Sequence, residues 1–277
     1  MFPPTPQPLY TAADLHAAYE LHYGWAGWPS TTPFPIDLIE QLLAAIAPEW
    51  EGDGIRLLES SLAPEQLLLT LSVRPQISPV TLAARVKGRL QHHCRRAGKS
   101  VAFSRKAALR TIGHNQRAQV EAYIGRQASK EAVADERFGA LLSQLCIVRP
   151  EVDLSMPTES RSGRYWYNLH LVLITAQRYR VGDESTLLKI RDTCLRIGEK
   201  KKYAISAVAV MPDHLHLALR GTIDYSAEEI ALSFMNNLAF ALGQRAWWAS
   251  GYYAGTFSEY DMDAVRTFSG STENNEA

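Results

Sequence analysis

The chain has 277 residues, of which 46% are hydrophobic and 21% are charged, and its 29 basic and 29 acidic side chains cancel to a formal net charge of zero. These are the proportions of a soluble globular protein, and no stretch approaches the roughly 18 consecutive apolar residues of a membrane span. The length allows one large domain or two ordinary ones. The N-terminal MFPPTPQPLY lacks the basic start and apolar core of a secretory signal, and the cysteines are few and widely spaced. We therefore expect a cytoplasmic protein.

The first half of the chain predicts strands and helices in succession. We expect an opening strand around residues 15–29, an apolar strand over 63–73, which reads APEQLLLTLSV, and a helix that begins after an N-cap at Ser78. A short extended piece and an amphipathic final helix follow, within AFSRKAALRTIGHNQRAQVEAYIGRQ. Residues 147–164 are rich in proline, serine and charge without sustained periodicity, which predicts a linker.

Positive charge is concentrated in this first half. Between Glu65 and Glu121 there is no acidic residue, although the interval holds eleven arginines and lysines. A phosphate backbone is the natural partner of such a stretch, and an ordinary solvated helix face is the alternative. The candidate DNA-binding residues are Arg85, Lys87, Arg89, Arg95, Arg96, Lys99, Arg105, Lys106 and Arg110 here, together with Arg178 and Arg180 in the second half.

The second half repeats the order of elements in the first. YNLHLVLITAQRY takes the place of the opening strand, MPDHLHLALRG over residues 211–221 aligns with residues 63–73, and a helix follows an N-cap at Ser226. The sequence thus predicts an internal duplication, with an α/β domain over residues 1–146, the linker, and a second α/β domain over 165–277. Each domain is expected to have a mainly antiparallel sheet.

Two histidines lie one residue apart in the strand MPDHLHLALRG. Because side chains alternate along a strand, His214 and His216 are expected to point to the same face. With the Met-Pro before them and the order of elements around them, this stretch resembles the single-tyrosine HUH transposases of the insertion-sequence 200/605 type and their REP-associated relatives. The resemblance implies ferredoxin-like domains, a divalent cation, Mg²⁺ or Mn²⁺, on the two histidines, and a tyrosine on the final helix that attacks single-stranded DNA.

The resemblance is split between the two halves. The family's final helix carries Tyr-Ile-x-x-Gln, and the first half reads VEAYIGRQ, which makes Tyr123 the implied nucleophile and Gln127 the implied third metal ligand. Its strand has Gln66 and Leu68 where the histidines should be. The second half has both histidines, but Phe268 and Thr272 replace the tyrosine and the glutamine. The losses are complementary, since family members work as dimers in which each site combines the histidines of one subunit with the tyrosine of the other.

A fused pseudo-dimer would therefore keep one composite site, made of Tyr123, Gln127, His214 and His216. The implied function is a metal-dependent, site-specific single-stranded DNA endonuclease and strand transferase that forms a 5′-phosphotyrosine intermediate and recognises DNA hairpins. We expect a monomer associated with the nucleoid. The alternative is a catalytically inactive descendant that acts as a DNA-binding or regulatory protein, and an RNA-binding module has only the shared fold behind it.

Other assignments of the chemistry stay open in the sequence. Tyr252, Tyr253 or Tyr260 could act in cis with the histidines, although aromatic residues before a final helix more often pack than react. Asp213 could be a metal ligand, but a strand neighbour of an inward-facing histidine points away, so a turn role is favoured. His170 is expected to be structural or to lie near the floor of the site.

Overall fold

The structure is a computed structural model that describes residues 8–99, 101–243 and 247–259. The strands within these ranges are β1 (His16–Glu20), β2 (His22–Pro29), β3 (Ile55–Ala63), β4 (Gln66–Val73), β5 (Phe103–Ile112), β6 (Cys146–Val148), β7 (Thr158–Glu159), β8 (Gly163–Trp166), β9 (Asn168–Thr175), β10 (Ala204–Met211), β11 (His214–Arg220) and β12 (Trp248–Thr256). The α-helices are α1 (Ile36–Gly52), α2 (Pro79–Arg96), α3 (Arg117–Gly125), α4 (Glu136–Gln144), α5 (Glu184–Lys201) and α6 (Ala227–Leu242).

Two six-stranded sheets form the centre of the molecule. The first has the order β3-β4-β2-β5-β8-β7 and the second has the order β1-β12-β9-β11-β10-β6. Most neighbours are antiparallel, while β1 with β12 and β5 with β8 are parallel. The arrangement confirms the predicted α/β class, with two tandem ferredoxin-like units.

The sheets do not respect the predicted division of the chain. Strand β1 from the first half is an edge of the second sheet, and β6 pairs with β10 at the opposite edge. The predicted opening strand over 15–29 is therefore two strands, which separate at Leu21 and enter different sheets. The segment expected to be a linker, 147–164, holds the end of β6, all of β7 and the start of β8. Strands of two to four residues are too short to show a period, which is why the sequence pattern misses them.

Helices cover one face of each sheet. Helices α1 and α2 pack together against the first sheet, and α5 and α6 pack together against the second. The predicted N-caps are confirmed, because the hydroxyl of Ser78 accepts a hydrogen bond from Thr81 and that of Ser226 accepts one from Glu229. Helix α4 was not predicted. Of the described helices, none has the length and apolar character needed to cross a membrane.

Helix α3 lies on the other face of the second sheet, against β6, β10 and β11. On β11 the fully buried Leu217 faces the core under α5 and α6, so the alternating His214 and His216 face α3. The helix of the first half that carries Tyr123 is thus packed on the histidine strand of the second half.

Candidate active site

The ends of β5 and β12 cross at the centre of the molecule, and the crossing fixes where α3 begins. The hydroxyl of Thr111 donates to the carbonyl of Phe257 at 2.9 Å and accepts from the amide of Asn168 at 3.2 Å. The hydroxyl of Thr256 makes the equivalent pair of bonds, donating to the carbonyl of Ile112 and accepting from the amide of His22. The two threonines thus make the same pattern of hydrogen bonds, one in each half of the crossing.

Glycine is required at this crossing. A side chain on Gly113 would place its first carbon 2.0 Å from the Thr256 carbonyl oxygen, which no side chain can do. Immediately after it, the amide of Arg117, the first residue of α3, donates to the carbonyl of Ser258 at 2.7 Å. The guanidinium of Arg117 also binds Glu121 at 2.9 Å and the carbonyl of Val152 at 3.1 Å. Arg117 therefore anchors α3, and its guanidinium is engaged in contacts within the protein.

Tyr123 and the histidines come together from the two halves. The phenol ring of Tyr123 lies with its centroid 5.5 Å from that of His216 and 6.0 Å from that of His170, both edge to face. His214 and His216 are adjacent, with ring centroids 4.9 Å apart. Tyr123 is 40% exposed, so part of the residue is open to solvent. A cavity of about 440 Å³ opens beside these rings, and Tyr253 forms part of its wall.

Hydrogen bonds orient both histidines of the pair. Nδ1 of His214 lies 2.6 Å from a carboxylate oxygen of Asp213, and Nδ1 of His216 lies 3.0 Å from Nε2 of His170. With Nδ1 engaged, each ring has Nε2 for another partner, which is the usual arrangement of histidines that bind metal. His170, expected only to lie near the floor of the site, is thus the residue that holds His216.

Burial lowers the pKa of His170 and that of His216, which favours their neutral forms. Desolvation lowers the pKa of His170 to about 4. The pKa of His216 is also lowered, first by burial and then by the neighbouring His170, His214 and Lys130. A neutral imidazole keeps a lone pair at neutral pH, and this lone pair can bind a cation.

Gln127 lies just beyond the helix on which it was expected. Helix α3 ends at Gly125, and Gln127 precedes a short 3₁₀ turn over Ala128–Lys130. Its side chain is buried, and its amide nitrogen donates to the carbonyl of Tyr123 at 3.0 Å. The bond ties Gln127 to the nucleophile's own backbone and leaves the amide oxygen as the atom able to bind a cation.

Two residues of the site, Lys130 and Glu131, were missed by sequence reasoning, and a third, Asp213, was weighed as a ligand but not favoured. The ammonium of Lys130 lies 3.6 Å from the ring centroid of Tyr123. Glu131, Asp213 and His214 each offer a ligand atom, and these atoms lie within 4.8 Å of one another. Asp213 was expected to point away from the histidines, but it lies in the turn before β11, where strand alternation does not apply. No signal in the sequence marks Glu131 or Lys130, since their approach depends on how the halves pack.

The predicted cationic residues are only partly free to contact DNA. In α2, Arg89 binds Glu49 and Asp53 of the neighbouring helix, Arg85 donates to the carbonyl of Asp53, and Lys87 donates to that of Ser104. Outside α2, Arg110 stacks on Trp166, Arg178 binds Asp213 at 3.2 Å and Arg180 binds Glu131 at 2.6 Å. Arg95, Arg96, Lys99, Arg105 and Lys106 are exposed, and Arg85, Arg178 and Arg180 are also exposed despite their contacts. The acidic partners lie outside residues 66–120 in the sequence. The lack of acidic residues within that range therefore suggests more unpaired positive charge than the structure has.

The alternative nucleophiles are poorly placed where they are described. Tyr252 is almost fully buried. Burial, followed by the charge of Glu20, raises the pKa of Tyr253 to about 12, which disfavours its phenolate. Tyr260, Phe268 and Thr272 lie outside the described residues.

Comparisons with known proteins found a family match in the second half of the chain. Residues 164–268 match the family model described as "Transposase IS200 like". No curated protein matches the chain. Among solved structures, a candidate transposase of Deinococcus radiodurans R1 is 21% identical, with a TM-score of 0.30 over 40% of this chain and 91% of that one. A REP-associated tyrosine transposase bound to a REP hairpin is 13% identical, with a TM-score of 0.29 over 40% of this chain and 70% of that one. The similarity to the IS200-like transposase family therefore extends over residues 164–268, which include His214 and His216.

Proposed function

We propose that the protein is a metal-dependent, site-specific single-stranded DNA endonuclease and strand transferase with one composite active site. The observation that carries the proposal is the contact between Tyr123 and His216, because a phenol from the first half lies against the histidine pair of the second. The tyrosine of the Tyr-Ile-x-x-Gln motif and the histidine pair lie in different halves. In this proposal the two halves form a pseudo-dimer within one chain, and a monomer suffices for activity.

The residues present fit a divalent cation. His214 and His216 both turn Nε2 away from their Nδ1 hydrogen bonds, and oxygen ligands are available nearby. The carboxylates of Glu131 and Asp213 lie within 4.8 Å of a ligand atom of His214, and the amide oxygen of Gln127 is the ligand that the motif predicts. Mg²⁺ and Mn²⁺ prefer oxygen ligands, so these oxygens suit them. A bound cation would withdraw charge from the scissile phosphate and make the phosphorus easier to attack.

The chain's own residues perform the transfer. The hydroxyl oxygen of Tyr123 attacks the phosphorus, the bond to the 3′ oxygen breaks, and the 5′ phosphate stays on the tyrosine while a 3′ hydroxyl is released. Attack by a 3′ hydroxyl reverses the step and rejoins strands, so no nucleotide cofactor is needed. The ammonium of Lys130 lies beside the phenol, where its positive charge offsets the charge that develops on the tyrosine oxygen.

The substrate is proposed to be DNA that folds into hairpins, contacted by the exposed cationic residues of the first half. Arg95, Arg96 and Lys99 lie at the end of α2, and Arg105 and Lys106 lie at the start of β5. Their charges are available for phosphates, and binding through them should weaken as salt rises.

The test is a covalent adduct on a denaturing gel. The protein is mixed with single-stranded hairpin oligonucleotides from its own locus and Mn²⁺, and we expect a slower band that contains both DNA and protein. Tyr123→Phe should abolish that band while leaving DNA binding and thermal stability intact, because Tyr123 is an exposed residue and only its hydroxyl is removed.

Two matched variants complete this test. Tyr253→Phe removes the other phenol of the cavity and should keep the adduct, as should Tyr179→Phe on the exposed surface. If Tyr123→Phe still forms the adduct, the nucleophile is a different residue. Hairpin binding with no adduct in the wild type would instead favour a DNA-binding protein that has lost catalysis.

A further inference from the structure

The first sheet has a cavity at the place where the histidine pair is missing. It encloses about 550 Å³ on the face of the sheet turned away from α1 and α2. Gln66 and Leu68 of β4, which stand where the second half has His214 and His216, belong to its lining. Leu68 is 37% exposed, so the loss of the metal ligands left an open surface and not a filled core. Exposed apolar surface of this kind usually marks a binding site.

The walls of the cavity are aromatic. Trp28 at the end of β2 and Trp166 at the end of β8 both line it. The indole nitrogen of Trp166 donates to the carbonyl of Ser155 at 2.7 Å, and the guanidinium of Arg110 lies 4.2 Å from its ring centroid. These two contacts fix the ring, so Trp166 is a rigid platform for a flat ligand. Ala26 and Ala108 leave the space beside it open.

Polar groups are few and stand along the β3 and β4 side of the cavity. Ser60 and Ser61 of β3 offer hydroxyl groups and Gln66 of β4 offers an amide. An apolar, aromatic interior with a few hydrogen-bonding groups is the usual composition of a site for a small planar molecule. Donors and acceptors together suit a heterocycle whose edge carries both, as every nucleobase does.

Positively charged side chains lie on the β5 and β8 side of the cavity, opposite to β3 and β4. Arg110 and Ala108 alternate on β5, so the exposed Lys106 shares their face. In the parallel pairing of β5 with β8, Arg164 lies beside Ala108 and Trp166 lies beside Arg110. Arg164 contacts Glu159 but keeps 64% of its side chain exposed. A chain of phosphates could thus follow this edge while a base enters the cavity.

We propose that this cavity binds one unpaired nucleobase of a single-stranded DNA, stacked on Trp166 with its phosphates beside Lys106 and Arg110. The first sheet would then be a reading site that holds substrate, while the composite site performs the chemistry. The proposal takes the nature of the substrate from the proposed function but does not need the nuclease step. Base stacking on a fixed aromatic ring accepts any base, and the hydrogen-bonding side adds preference among bases.

The test uses an unstructured single strand that carries 5-iodouracil at successive positions, crosslinked by long-wavelength light and mapped by mass spectrometry. We expect a crosslink to Trp166 or Trp28. Trp166→Leu, which keeps apolar bulk but removes the stacking face, should weaken binding of the same strand about tenfold. An abasic residue at the crosslinked position should weaken wild-type binding equally and cost nothing further in Trp166→Leu, since both changes remove one contact.

Tyr225→Leu is the matched control, because it removes an exposed aromatic ring outside the cavity and should leave affinity unchanged. Crosslinks only outside the cavity, or unchanged affinity in Trp166→Leu, would overturn the proposal. If residues 260–277 or another protein segment fill the cavity, Trp166→Leu will lower the melting temperature and leave DNA affinity unchanged, which also overturns it. The Mn²⁺ adduct is measured on the same variants, so loss of the nuclease and loss of base binding are read separately.

Discussion

At the scale of single residues, the site depends on rings that are kept neutral by burial. His170 lies between Tyr253 and His216 and has a hydrogen bond to the latter, so it sets the direction in which His216 points. A protonated His170 or His216 would place a charge in a desolvated space and lose the lone pair on which the pair depends. The free energy of unfolding is therefore expected to fall at low pH.

The pH dependence of stability measures this cost. Between about pH 6.5 and pH 4 the unfolded chain binds a proton at residue 170 that the folded chain excludes. Stability from the neutral ring is therefore complete above the unfolded pKa and falls as the pH is lowered toward 4, by at most about 3 kcal/mol. Urea denaturation at pH 7 and pH 5, in a chelator, should show His170→Gln to be less sensitive to pH than the wild type.

His92→Gln is the control for this measurement. His92 is exposed on α2, so its replacement should leave the slope of stability against pH as in the wild type. An unchanged slope in His170→Gln would show that the ring is protonated as easily in the folded protein as in the unfolded one.

At the scale of elements, the sequence predicted the strong patterns and missed those that depend on packing. Strand β11, with apolar residues alternating around its histidines, and the capped helices α2 and α6 carry their own signals. Helix α3 has nine residues and a weak apolar face, and what holds it is Arg117 and the crossing beside it. Tyr123 and Gln127 were recognised from the motif alone, whereas Lys130 and Glu131 reach the site only through this placement.

The crossing can be weakened at one atom. Thr256→Val keeps the shape of the side chain but leaves the amide of His22 and the carbonyl of Ile112 without the hydroxyl. We expect the free energy of unfolding in urea to fall by about 1 to 3 kcal/mol, the usual cost of an unsatisfied buried group. Because α3 starts from this crossing, the adduct should also form more slowly in the fully folded variant.

Thr222→Val provides the comparison, since the hydroxyl of Thr222 donates to one exposed backbone carbonyl. It should change the free energy of unfolding by no more than about 0.5 kcal/mol. Equal effects of the two substitutions would mean that the crossing is not a special point of the fold.

At the scale of the whole molecule, the sequence predicted the duplication, but it did not predict that strands β1 and β6 of the first half would join the second sheet. The order of strands and the aligned APEQLLLTL and MPDHLHLAL segments indicated two similar units. That β1 and β6 would join the second sheet depends on contacts between residues far apart in the chain, which local periodicity does not record. The proposed composite site needs the same long-range packing.

Mixing two defective chains tests whether one chain builds its own site. Tyr123→Phe lacks the proposed nucleophile and His216→Gln lacks one proposed ligand. If the pseudo-dimer is internal, each variant is inactive and their mixture stays inactive, because no chain has both groups. Recovery of the adduct in the mixture would mean that sites assemble between chains, and light scattering of the wild type would then show a dimer and not a monomer.

The pairing of β1 with β12 also bears on how the protein is made. His16 is paired with Gly251, so a strand that leaves the ribosome first must wait for almost the whole chain before its neighbour exists. Until then the second sheet has an uncovered edge, and its closure requires a long loop to be brought together, which slows folding. Synthesis of a truncated product would leave that edge open, and such a product should be prone to aggregation.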